Sequence, residues 1–178
     1  ASVASVSRWC NVSAVPTWRA DTLPGLPGAK PLTGTLTATQ TRWNAMNLGG
    51  LNSKGQLVVT WWVPGGRWQT SNLSTVAHAP KLEDGRITGF VTSWGAINYV
   101  GVDGDGRMLA IWWAPSAGWR TDVLSTSDDP PTGPLTGHTA PAGSISIIGA
   151  KATGEVMRLW WEPGGTWKLD NLSVLATG

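Results

Sequence analysis

Ala110-Ile111-Trp112-Trp113-Ala114-Pro115-Ser116-Ala117-Gly118-Trp119-Arg120-Thr121-Asp122-Val123-Leu124 is the stretch on which the fold turns. An apolar run ends in two adjacent indoles. A Pro/Gly turn follows, and a third Trp opens a second short run. Such a pattern is a β-hairpin. It recurs as Trp61-Trp62-Val63-Pro64-Gly65-Gly66-Arg67-Trp68 running to Leu73, and as Trp160-Trp161-Glu162-Pro163 with Trp167 running to Leu172. A looser copy reads Trp9-Cys10-Asn11, then Trp18-Arg19-Ala20-Asp21-Thr22-Leu23. The closing Trp stands at 18, 68, 119 and 167. A period of about 50 residues marks a tandem-repeat architecture.

Working outward from the central hairpin, Ile87–Thr92 and Ala96–Val102 read as two further strands, with Asp103-Gly104-Asp105-Gly106 as the turn into the third. Glycine supplies the positive φ that such turns need. Matching segments precede the hairpins at Trp61 and Trp160, but not the one at Trp9. The expectation is a single all-β repeat domain over residues 1–178 holding about 3.5 four-stranded antiparallel units. The half unit covers 1–26 and the units cover 27–77, 78–128 and 129–178. No stretch has a helical period.

Neighbouring strand residues point to opposite faces, so each Trp-Trp pair covers both sides of its sheet. Burying an indole is worth roughly 2–3 kcal/mol, which predicts sheets packed on both faces. Successive sheets stacked in a propeller-like array satisfy this; a β-sandwich of repeated hairpins is the alternative. The unmatched half unit leaves an apolar edge, which predicts association or a larger assembly.

Composition narrows the function classes. Trp occurs 13 times, against one Tyr and one Phe, while charged residues make up 13% and the net charge is +2. That charge is too small to argue for nucleic acid. The single Cys10 excludes an internal disulfide. No apolar run reaches the ~18–20 residues of a membrane span. Ala1-Ser2-Val3-Ala4-Ser5-Val6 lacks a basic n-region and reads as a mature end or an artificial boundary. Low charge with abundant Thr, Ser, Gly and Asn suits an extracytoplasmic protein, periplasmic or on the cell surface.

The run Gly101-Val102-Asp103-Gly104-Asp105-Gly106-Arg107-Met108-Leu109, with Trp113 and Trp119 beyond it, resembles the repeats of tectonin and tachylectin-type propellers. The likeness covers three units. It implies radial blades with sugar pockets between them. The Trp-Trp-x-Pro element and the Trp-x-x-Asp-x-Leu ending depart from that pattern.

Indoles that recur in every unit, Trp62, Trp68, Trp113, Trp119, Trp161 and Trp167, serve a shared core. Trp43 and Trp94 differ, because the third unit has Ala142 at that position. A position that varies among copies is free to face solvent or ligand, so both are candidate binding platforms, with Asn47 and Asn98 on the strands that follow. Arg19, Arg120 and Lys168 each follow a closing Trp and could form a basic row for an anionic partner; Arg120 and Lys168 complete the candidate site. Asp21, Ser71, Asp122 and Asp170, three residues after each closing Trp, read as turn residues rather than catalytic acids. Asp103-Gly104-Asp105-Gly106 reads as a turn rather than a calcium loop, since its sister turns carry no acid ladder. His78 and His138 have no ligand partner at metal spacing. Asn72-Leu73-Ser74 and Asn171-Leu172-Ser173 match a glycosylation sequon as by-products of the repeat.

No catalytic residues, metal or cofactor are expected. The leading expectation is a non-catalytic interaction module, a structural or scaffolding subunit docking on a larger extracytoplasmic or membrane-associated assembly, with other protein subunits as partners. The alternative is a glycan-binding lectin using Trp pockets between blades, with carbohydrate as partner. A glycan-active enzyme comes third.

Overall fold

The computed structural model describes residues 3–5, 19–21, 32–125 and 131–176. The first hairpin is present as an antiparallel pair of β1 (Val3–Ser5) and β2 (Arg19–Asp21). Trp9 and Trp18, which defined it in the sequence, lie outside the described residues.

Three four-stranded antiparallel sheets follow, each a simple meander in chain order. Unit 1 is β3 (Thr33–Gln40), β4 (Met46–Leu51), β5 (Leu57–Trp62) and β6 (Gln69–Asn72), followed by the single-turn helix α1 (Leu73–Val76). Unit 2 is β7 (Leu82–Val91), β8 (Ile97–Asp103), β9 (Met108–Ala114) and β10 (Gly118–Ser125). Unit 3 is β11 (Leu135–Thr139), β12 (Ile145–Ala150), β13 (Val156–Trp161) and β14 (Lys168–Asn171), followed by α2 (Leu172–Leu175).

The two helices correct the expectation of none. Each is one turn, too short for a hydrophobic period to register. Asn72 caps α1 by accepting Thr75 N–H at 3.1 Å, and Asn171 caps α2 by accepting Val174 N–H at 3.2 Å. Ser74 and Ser173 then accept Leu57 N–H and Val156 N–H, both at 2.9 Å, tying each helix to its sheet. Asn-Leu-Ser is thus a capping device. Unit 2 has Val123 at the capping position, and β10 runs on to Ser125 without a helix.

Two apolar cores separate the three sheets. Between units 1 and 2 lie Leu51, Leu57 and Val59 of one, and Ile87, Tyr99, Leu109 and Ile111 of the other, with Trp113 and Trp119 packed against them. Between units 2 and 3 lie Phe90, Val100, Val102 and Met108, facing Leu135, Ile145, Ile147 and Leu159, with Trp112, Trp161 and Trp167 alongside. Trp112 and Trp113 therefore serve different cores, as strand alternation requires. Every residue of β8 is buried. A two-layer sandwich would wet one face of that sheet; here both are covered.

The first strands of successive units approach closely. Thr37 Oγ1 accepts Gly89 N–H at 2.8 Å, and Thr88 Oγ1 accepts Gly137 N–H at 3.0 Å, the same bond one unit later. A Cβ on Gly137 would fall 2.2 Å from Phe90 Cδ1, so only glycine admits this approach. Inner strands latched side by side, with outer strands behind them, give the sheets a radial arrangement.

Candidate functional site

The turn between the first and second strands of each unit has one geometry. In unit 2, Thr92 N–H donates to Ala96 O at 2.9 Å, Gly95 N–H to Thr92 O at 2.9 Å, and Ala96 N–H to Thr92 Oγ1 at 2.9 Å. Thr41 and Ala45 repeat this in unit 1. Asn44 and Gly95 take the left-handed conformation, with φ of 60° and 89°. Asn is among the few side-chain-bearing residues that tolerate it. The residue just before, at the head of the turn, is Trp43 in unit 1 and Trp94 in unit 2.

Both indoles reach across to the next unit. Trp43 meets Trp113 edge to face at 6.0 Å between ring centres, with 63° between planes. Trp94 meets Trp161 at 5.9 Å and 65°. Edge-to-face contact is the favoured arrangement for indole quadrupoles. The turn glycine of the receiving unit lies beside the indole: a Cβ on Gly95 would lie 3.8 Å from Trp43, and one on Gly143 would lie 3.5 Å from Trp94, both ordinary contact distances, while the left-handed φ of 89° and 92° is what favours glycine there. Trp161 is pinned by donating its Nε1–H to Gly165 O at 3.0 Å.

Trp43 and Trp94 remain 44% and 50% exposed. Each junction thus offers a half-open indole standing on a partly buried one of the next unit. Around the second pair, Ser93 Oγ and Pro163 approach Gly143, and Glu162 follows Trp161 where unit 2 has Ala114. Unit 3 has Ala142 at the platform position and carries no indole onward.

The remaining sequence candidates lie elsewhere. Asn47 and Asn98 are buried on the second strands, cross-strand from Trp61 and Trp112. Asn98 Nδ2 donates to Ala96 O at 3.1 Å, while Asn47 Nδ2 has no partner. Arg120 Nε donates to Ala117 O within its own hairpin at 3.1 Å. Lys168 Nζ sits 4.6 Å from the centre of the Trp160 ring. The structure therefore groups Trp43 with Trp113 and Trp94 with Trp161, and leaves the asparagines and cations apart. Trp113 and Trp161, read from sequence as core alone, also form the floor of these junctions.

Two acid readings resolve locally. Asp122 is no turn residue: its Oδ2 accepts the Trp112 Nε1–H at 2.7 Å across the strand pair. Asp103 Oδ1 accepts the N–H groups of Asp105 at 3.0 Å and Arg107 at 2.9 Å, while Oδ2 binds the Arg107 guanidinium at 2.8 and 2.6 Å. Burial raises the Asp103 carboxyl, but the Arg107 side chain and these backbone donors outweigh it and hold the carboxyl below its ordinary value. Its oxygens are committed to the turn. Among the described residues no three His, Cys, Asp or Glu side chains gather as metal ligands, and no helix is long and apolar enough to cross a membrane.

No protein-family model and no curated protein matches this sequence. Solved structures do match. The BP39L lectin from Burkholderia pseudomallei superposes with a TM-score of 0.67 at 18% identity, over 85% of this chain and 44% of that one. The Aleuria aurantia lectin, described as a six-bladed β-propeller with a fucose recognition mode, matches with a TM-score of 0.57 at 14% identity, over 86% of this chain and 51% of that one. A fucose lectin from Kordia zhangzhouensis, solved with methyl-fucoside, matches with a TM-score of 0.53 at 16% identity, over 76% of this chain and 97% of that one.

The fold is propeller-like. The four-stranded units are its blades, and the chain spans about half the length of the first two lectins. At these identities the likeness speaks to architecture alone. The platforms Trp43 and Trp94 stand at the junctions between blades.

Proposed function

We propose that the chain is a non-catalytic carbohydrate-binding protein that holds one sugar at each blade junction, on Trp43 with Trp113 and on Trp94 with Trp161. The observation that carries this reading is the repeated pair: a half-exposed indole from one blade set edge to face on a partly buried indole of the next. The apolar C–H face of a sugar ring covers an exposed indole face, and its hydroxyls need a few polar groups nearby. Ser93 is available at the second junction. This favours the lectin alternative over the scaffolding expectation. Two of the structural neighbours are described as fucose-recognising lectins, which makes α-methyl-L-fucoside the first sugar to try. Binding of exposed glycans would suit an extracytoplasmic location.

A glycan array probed with the labelled chain tests the reading. Retention on a defined set of sugars, lost in a Trp43→Ala/Trp94→Ala variant that melts as a folded protein, supports it. Silence across neutral and acidic glycans removes it.

The scaffolding reading keeps one observation of its own. Leu36 and Met46 of blade 1 are 51% and 42% exposed, although their counterparts Ile87 and Ile97 are buried against blade 1. Exposed apolar residues on one face mark an interface with protein. Light scattering coupled to size exclusion tests it: a concentration-dependent assembly abolished by Leu36→Asp is expected, and a monomer at every concentration contradicts it.

A further inference from the structure

Among the described blades, the face of blade 3 turned away from blade 2 differs from its counterparts in blades 1 and 2. Cross-strand partners place His138, Ser146, Trp160 and Lys168 in one row across it, and Thr136, Ile148, Arg158 and Asp170 in the next. Arg158 stands where blades 1 and 2 have Val59 and Ala110, which are 2% and 5% exposed inside the cores. Stripping a guanidinium of water against an apolar sheet is costly. This face is therefore not shaped for an apolar neighbour.

It is shaped around charge. Arg158 Cζ lies 5.1 Å from the centre of the Trp160 ring, and Lys168 Nζ lies 4.6 Å from the same centre. The π-system of one indole attracts two cations. Arg158 Nε also donates to Ser146 Oγ at 3.0 Å, which fixes the fork. Among the described residues neither cation forms an ion pair, although Asp170 is opposite Arg158 in register and His138 shares the face. Trp160 Nε1 is enclosed without an acceptor, whereas its counterpart in blade 2, Trp112, donates to Asp122.

We propose that this face is a second carbohydrate subsite, specific for a sugar bearing a carboxylate or sulfate group. The anionic group is drawn to Arg158 and Lys168, and the ring hydroxyls meet the exposed Thr136 and His138 along the same rows. Those polar groups favour a sugar over an acidic peptide, whose carboxylates need only the cations. The inference rests on the reading that the chain binds glycans, but it uses none of the residues at the blade junctions.

Isothermal titration of the full chain with a heparin-derived sulfated hexasaccharide, its desulfated counterpart and poly-L-glutamate of matched charge decides it. The sulfated sugar is expected to bind at least about tenfold more tightly than the desulfated one and to weaken as salt rises. Arg158→Gln/Lys168→Gln is expected to lose that advantage, while Trp94→Ala keeps it. Lys168→Gln alone, at an exposed position, shows a partial loss should the double variant fold poorly. Equal binding of the desulfated sugar overturns the proposal, as does equal binding of poly-L-glutamate. Loss in Trp94→Ala rather than in the double variant moves the acidic sugar to the junctions and overturns this subsite, while the glycan reading stands. Failure of neutral sugars to bind, with the sulfated sugar still lost in the double variant, sinks the junction reading and leaves this one.

Discussion

The Thr88 hydroxyl of blade 2 accepts the Gly137 N–H of blade 3 at 3.0 Å, and this bond sets how closely two blades approach. Gly137→Ala would drive its Cβ to 2.2 Å from the Phe90 ring, and the whole inner strand would have to withdraw. Overpacking of this kind costs about 1–3 kcal/mol, or roughly 2–4 °C of melting temperature per kcal/mol for a chain of this size. Gly89→Ala meets its nearest atom, Thr39 Cγ2, at 3.0 Å and is expected to cost less. Thermal melts of the two variants check the order.

Asp103 and Arg107 form a self-contained turn, and blade 1 builds the same turn from Asn52 and Gln56. Asn52 Oδ1 accepts the N–H groups of Lys54 at 2.9 Å and Gln56 at 3.1 Å, and its Nδ2 donates to Gln56 Oε1. Transplanting the pair as Asp103→Asn/Arg107→Gln should therefore change stability by less than about 1 kcal/mol, whereas Asp103→Ala strands two backbone donors and costs about 1–3 kcal/mol. Acid sensitivity separates them further. The Asp103 carboxyl is held below its unfolded value, so its stabilisation is present above about pH 4 and is lost as pH falls through the folded value. Urea midpoints at pH 7 and pH 3 should show a smaller acid loss in the double variant than in the wild type.

Tyr99 buries a hydroxyl without a hydrogen bond. Burial pushes its pKa far above the ordinary phenol range, and the nearby Thr39 hydroxyl offsets little of this. A group with a raised folded value contributes fully below the unfolded value, about pH 10, and that contribution fades as pH climbs beyond it. Tyr99→Phe removes the unmet hydroxyl and is expected to be neutral or to stabilise by about 1 kcal/mol at pH 7, with a shallower loss above pH 10. Denaturant melts at pH 7 and pH 11 measure both effects.

The blades were legible because a strand alternates faces, so a Trp-Trp pair declares two covered sides; this holds for the central blade, whereas Trp62, Trp68 and Trp160, of which the first two were expected in the core, join neither of the two cores. Trp112 and Trp113 do lie in separate cores. The one-turn helices were not legible, since Asn72 and Asn171 act through a single cap rather than a period. Asp122 was misread because its partner, Trp112, faces it across two strands rather than along the chain. The junctions were half legible. Variation among units singled out Trp43 and Trp94, but their partners Trp113 and Trp161 belong to the next blade, and only the packing of one blade on another brings them together. Arg158 drew no attention in sequence, because its oddity emerges only beside the buried Val59 and Ala110.

The most direct test of the account is the stoichiometry of sugar binding, measured by calorimetry with the best neutral glycan from the array, which the charged face of blade 3 does not select. Two indole pairs predict two sugars per chain for the wild type, one for Trp94→Ala, one for Trp43→Ala and none for the double variant. A stoichiometry that stays the same in all four proteins contradicts it.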